Sequence, residues 1–307
     1  MKPLVPIFLL LFICVSASHA QEQNHEPDKA QLVMSDIPLF WRAYDISTPE
    51  TLAQNLQKEY VEKGSQGVQD FIPYRIQNGE NLAKQILSHR EYYESIRASS
   101  MKVLTMEPEF RVMFRKLKEI YPNAVFPPVY FVIGARNSGG TSSDHGLIVG
   151  AEMFAESGSR LHFSDLTAVV IHELIHFQQK GSGSDLLPQM MREGAADFIA
   201  ETIVDRESDE PLKDYGDAHE QVLWNHLQKD LSEKDQKAAR NNWLYNGNLK
   251  ENAHDGEPPD LGYYMGYKIV QSYLQCHTDK KQALITITEM ADAKIILEQS
   301  CYAQRFH

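Results

Sequence analysis

His172 and His176 stand four residues apart with Glu173 beside the first, in the segment HELIH at 172–176; Glu193 follows seventeen residues later and Asp197 four beyond that. On a helix, positions i and i+4 share a face, so two imidazoles so spaced can close on one metal ion with Glu173 adjacent as a general base. A zinc ion that does chemistry takes three protein ligands and keeps a fourth position open. Glu193, on a second helix, is the third ligand this spacing offers. Asp197 then falls one turn further on, where its carboxylate can accept the free ring N–H of a ligating histidine and fix its tautomer. One Zn2+ per chain is the expectation.

HExxH also arises by coincidence in chains rich in His and Glu, so the flanks decide. Val169, Val170, Ile171, Leu174, Ile175 and Phe177 make this helix apolar except at the ligand positions. Two histidines and a glutamate would therefore be carried into a core, which is costly unless a cation pairs with them. No Ser/His/Asp array or reactive cysteine offers competing chemistry.

The elements that position these residues are announced by composition. Residues 1–20 carry Lys2, an apolar run from Leu4 to Val15 and Ser18-His19-Ala20, which reads as a signal peptide cleaved after Ala20. The run is too short to span a bilayer. Cys14 follows Ile13 rather than a small residue, which disfavours lipidation. The expected location is periplasmic or secreted, with no membrane insertion after cleavage. A formal net charge of −12 argues against nucleic acid as a partner. Cys276 and Cys301, the two cysteines left after export, are an even count in an oxidising compartment and are expected to form a disulfide.

No Gly/Ser-rich or Pro-rich linker divides residues 21–307, so a single domain is expected, with a helical part at 36–122, the sheet and metal helices at 123–205 and a helical C-terminal lobe at 206–307. Thr48 as cap with Pro49 predicts a helix to about residue 62. Further helices are read at about 80–97 and 107–120. Pro127-Pro128 stops helix, and the runs at 129–133 and 146–151 read as two strands joined by a glycine-rich loop. That loop lacks the lysine and spacing of a phosphate-binding loop. Ser164 is read as the cap of the metal helix, and 181–185 as the turn out of it. Helices at about 217–229, 232–242, 262–276 and 279–298 complete the chain. The fold class is α+β, mainly helical, with a small mixed sheet packed on the HExxH helix.

HELIH followed by EGAAD at 193–197 resembles the gluzincin metallopeptidases, the thermolysin-like group in which HExxH gives two zinc ligands and a downstream Glu the third. The resemblance carries over at His172, Glu173, His176, Glu193 and Asp197, and implies a zincin-like fold. The gap from His176 to Glu193 is shorter than in thermolysin. More narrowly, Gly139-Gly140-Thr141, the GAEM segment at 150–153 and Gly262-Tyr263 to Gly266-Tyr267 look like a bacterial family of predicted Zn-dependent proteases that includes relatives of a gliding-motility lipoprotein. In metallopeptidases of this build the last strand of the sheet takes the substrate backbone as an added strand, and Gly139 and Gly140 would let it approach closely.

The implied reaction is peptide hydrolysis by zinc-activated water, with Glu173 taking the proton and returning it to the leaving amine. The oxyanion needs a further donor, for which Tyr263, Tyr267 and His254 are candidates, Tyr263 first because it opens its helix. The partner expected is a peptide or protein substrate. The rival reading is a zinc-holding scaffold or substrate-binding protein of the same fold without turnover, which would have no need of an unliganded acid at Glu173.

Overall fold

The computed structural model describes residues 23–155, 161–206, 210–246 and 257–306. The expected signal peptide and His254 fall outside the described residues. The chain is mainly helical with a small mixed sheet, and divides into two compact units, Met1–Arg115 with Val125–Glu173 and Lys116–Ala124 with Leu174–His307. Two of the three crossings fall inside helices, α7 (Glu107–Ile120) and α8 (Leu166–His176), and the third lies between α7 and the next strand.

The first unit opens with α1 (Asp36–Asp45), α2 (Leu52–Leu56), α3 (Gln66–Phe71), α4 (Gly79–Ser88), α5 (Arg90–Ser95) and α6 (Arg97–Lys102). Its sheet has the order β1 (Leu32–Val33), β2 (Val129–Val132), β4 (Gly146–Gly150), β3 (Gly140–Ser143). β1, β2 and β4 run parallel, with Val129 opposite both Leu32 and Leu147. β3 is antiparallel to β4, with Gly140 opposite Val149. A second ladder pairs β5 (Phe154–Ala155) with β6 (Leu161–His162).

β2 and β4 are buried throughout, as continuous apolar runs should be when both faces of a sheet are covered. Phe40 of α1 packs edge-on against Tyr60, at 5.3 Å between ring centroids. Tyr60 in turn satisfies the backbone at the end of β2: its Oη donates to Ile133 O at 2.8 Å and accepts from Ile133 N at 2.9 Å. Tyr93 Oη donates to Gly134 O at 2.8 Å, so two buried phenols hold the start of the glycine-rich loop.

Several boundaries differ from the sequence reading. Thr48 starts a turn rather than a helix, its N–H donating to Thr51 Oγ1 at 2.8 Å; α2 begins at Leu52 and runs on as a π-helical turn, Gln57–Val61. The helix expected at 80–97 breaks at His89, whose backbone leaves the helical region. The one expected at 279–298 breaks at Met290, left-handed at φ 40°. Ser164 is not a cap but lies inside a 3-10 turn, Phe163–Asp165, that His162 opens by donating its N–H to Asp165 Oδ2 at 2.8 Å. Part of the glycine-rich loop is itself the strand β3.

The second unit carries α9 (Leu186–Val204), α10 (Glu210–Asp230), α11 (Gln236–Trp243), α12 (Leu261–Cys276), α13 (Lys280–Glu289) and α14 (Ala293–Gln299). α9 and α12 cross backbone to backbone. A Cβ on Gly194 would lie 2.2 Å from the Gly266 carbonyl carbon, and one on Gly266 would lie 2.1 Å from Met190 O. Cys276, at the end of α12, is joined to Cys301 by a disulfide, with 6.4 Å between Cα atoms. No helix among the described residues is long and apolar enough to cross a membrane.

Candidate metal centre

α8 is built for this position. Val170, Ile171, Leu174 and Ile175 are fully buried, which fixes the rotation of the helix, while His172 and Glu173 are half-buried and His176 is 8% exposed. Glu193 comes from α9, its rotation fixed in the same way by the buried Met190, Met191, Ala195 and Ala196. One ligand atom each of His172, His176 and Glu193 lie within 4.8 Å of one another.

The hydrogen bonds of His176 determine what its inward nitrogen can do. Gln179 is held by Arg192, donating from Nε2 to Arg192 O at 2.8 Å and accepting from Arg192 Nε at its Oε1, 3.1 Å away. That orients the amide with its oxygen toward His176 Nδ1, at 2.9 Å. Nδ1 must therefore carry the proton, and in the neutral ring Nε2 is left as a lone pair. This lone pair faces Glu193 Oε2 at 3.3 Å. Two electron-rich atoms at that distance require a cation between them, either a second proton on the ring or a metal ion. Bonds of about 2.05 Å to a tetrahedral zinc set neighbouring ligand atoms about 3.3 Å apart, so the His176–Glu193 pair has the spacing of two zinc ligands, and the His/His/Glu set has the donor types zinc takes. Gln179, rather than Asp197, thus holds the outer nitrogen of His176. Asp197 lies one turn beyond Glu193 on α9.

The other oxygen of Glu193 is also engaged. Tyr245 Oη donates to Glu193 Oε1 at 2.6 Å and lies 3.4 Å from Gln189 Oε1. Tyr245 has a left-handed backbone, φ 57°. It is kept there by its neighbour Asn246, which exchanges two bonds with Asp260: Asn246 N to Asp260 Oδ1 at 3.1 Å, and Asp260 N to Asn246 Oδ1 at 2.8 Å. These bonds bring Tyr245 beside the start of α12, where its ring meets that of Tyr263 edge to face at 6.5 Å. Nothing in the local sequence marks Tyr245; the signal lies in an Asn–Asp pair fourteen residues apart.

Tyr263 stands on the acidic side of this centre. Burial, and then the charges of Glu193, Asp260 and Asp197 together with the Tyr245 phenol, push its hydroxyl well above the usual tyrosine range, so it is a neutral group able to donate. Tyr267, one turn later, packs edge-on against Phe198 at 5.3 Å, with Lys213 Nζ 4.4 Å over its ring.

In the first unit, β3 is the outer strand of the sheet, and Gly140 at its start lies against the base: a Cβ there would stand 2.7 Å from Glu173 Oε1. Gly139 is tied to β4 through its carbonyl, which accepts from Gly150 N at 3.2 Å. The loop before it is anchored by Glu152. This carboxylate is fully buried, and its Oε1 accepts from Arg136 N at 3.2 Å.

Residues 22–304 match the family model described as gliding motility protein GldB. No curated protein and no solved structure matches.

Proposed function

Taking as premise that the chain belongs to the gliding motility protein GldB family, we propose that it is a zinc-dependent peptidase of the gluzincin type, with a zincin-like fold. The single observation that carries this reading is the lone pair of His176 Nε2 set 3.3 Å from a Glu193 oxygen, an arrangement that calls for a cation and has tetrahedral spacing. His172, His176 and Glu193 would hold one Zn2+ per chain. When bound, that ion supplies Lewis-acid polarisation of a carbonyl and acidifies water.

The rest of the chemistry belongs to side chains. Glu173, on the same turn of α8 as His172 and not needed as a ligand, takes a proton from the attacking water and returns it to the departing amine nitrogen. The Tyr263 hydroxyl, neutral and a donor, suits the developing oxyanion; Tyr267 and the undescribed His254 are the alternatives. A peptide in extended form would lie along β3, where Gly139 and Gly140 leave room beside the base. Asp197 would support a ligand from α9.

The protein would work at the cell envelope. The matching family is that of a lipoprotein. Cys14 is the residue an anchor would use, although Ile13 before it is not the small residue such signals favour, so a soluble exported form remains the competing arrangement.

The test is metal analysis of the purified protein together with cleavage of an unfolded protein by wild type and Glu173→Gln. About one zinc per chain is expected in both, with hydrolysis lower by about 10²–10⁴-fold in the variant. Equal cleavage would remove Glu173 as the base, and zinc without cleavage in either protein would favour the scaffold reading.

A further inference from the structure

We infer that Tyr245 is a positioning residue of the metal centre, which fixes Glu193 as a ligand through one oxygen only. A carboxylate can meet a metal with one oxygen or with both, and which it does depends on what holds the other oxygen. Here the two oxygens of Glu193 are sorted. Oε1 accepts the Tyr245 hydroxyl at 2.6 Å, a short bond to a charged acceptor, and Oε2 faces His176 Nε2 at 3.3 Å. A phenol has one proton to give and a carboxylate only lone pairs, so toward Glu193 Tyr245 serves as the donor.

The phenol is itself held from behind. Its left-handed backbone, the paired bonds between Asn246 and Asp260 and the edge-to-face contact with Tyr263 leave the ring little freedom. A hydroxyl on a fixed ring orients its acceptor at low entropic cost, which a mobile water would not. His176 is treated in a corresponding way by Gln179 and Arg192. Two of the three proposed ligands are therefore each held by a neutral side chain that is in turn held.

This inference rests on the zinc reading, and the experiment separates the two. Zinc affinity of wild type and Tyr245→Phe is measured by competition with a chromophoric chelator, and the Co2+-substituted proteins are compared by visible absorption. Tyr245→Phe should bind zinc about 10–100-fold more weakly. Its cobalt bands should be less intense, because Glu193 can then engage with both oxygens and raise the coordination number. In a Glu193→Gln background the Tyr245 substitution should have no further effect on affinity, since the two act as one unit. Wild-type zinc affinity and an unchanged cobalt spectrum in Tyr245→Phe would overturn this inference and leave the zinc reading standing. Failure of wild type to bind zinc would overturn both. Should Tyr245→Phe not fold, the near-ultraviolet tyrosine absorption of wild type and Glu193→Gln decides: it must differ if the phenol's acceptor loses its charge, and identical spectra would overturn the contact.

Discussion

Glu152 is a buried acid that the proposed chemistry does not use, and its environment makes it a pH-dependent element of stability. Its Oε2 has no hydrogen-bond partner among the described residues, and burial pushes the carboxyl up to about 7. In the unfolded chain the group returns to the ordinary 4.5. Between those values the folded chain holds a proton that the unfolded chain has released. The stability from this group is therefore fully present below pH 4.5 and is lost as the pH rises through 7, by up to about 3 kcal/mol. Glu152→Gln stays neutral and escapes the loss. Urea unfolding at pH 5 and pH 8 should show the variant gaining about 2–3 kcal/mol on wild type between the two; a gap that does not move with pH would mean the acid titrates normally. Of the residues that carry the proposed chemistry, His172, Glu173 and His176 could be read from sequence through their helical spacing, and Glu193 through the motif that follows them. Tyr245, Gln179 and Glu152 could not, because their roles depend on bonds between segments that sequence periodicity does not connect.

At the scale of elements, β3 shows where sequence patterning fails. Gly140-Thr-Ser-Ser143 has no apolar alternation, since an outer strand need bury little, so it reads as loop. The inner strands β2 and β4, buried on both sides, were plain as apolar runs. Helix ends were misjudged for a related reason: Thr48 and Pro49 are good capping residues, but Thr48 instead donates its own N–H to the Thr51 hydroxyl in a turn, and α2 begins only at Leu52. The close approach of β3 to α8 has a measurable consequence. Gly140→Ala would put a methyl group 2.7 Å from Glu173 Oε1, at the far end of a flexible side chain. The fold should survive while the base is displaced, so hydrolysis should fall by about 10–100-fold with zinc content unchanged. Loss of zinc along with activity would instead point to movement of α8 itself.

For the whole molecule, the division into two compact units was not legible, because two of the three crossings lie within the continuous helices α7 and α8. The disulfide was legible from a count of two. Cys276 and Cys301 are 25 residues apart, and in the chain-entropy view a loop of that size stabilises by about 3 kcal/mol. Reduction should lower the thermal midpoint by about 5–10 °C, read by calorimetry with and without a reductant, and an unchanged midpoint would show that packing alone holds the end of α12. That helix is also held at Gly266, where it touches the backbone of α9 next to Glu193. The contact governs time as well as place. Amide hydrogens on the touching faces can meet solvent only when the two helices part, and that parting dismantles the core they share. Exchange near Glu193 should then follow the slow clock of opening the unit, not the fast one of fraying ends. The ligand helix would have no half-open state through which its place at the metal could be lost while the rest of the unit stayed folded.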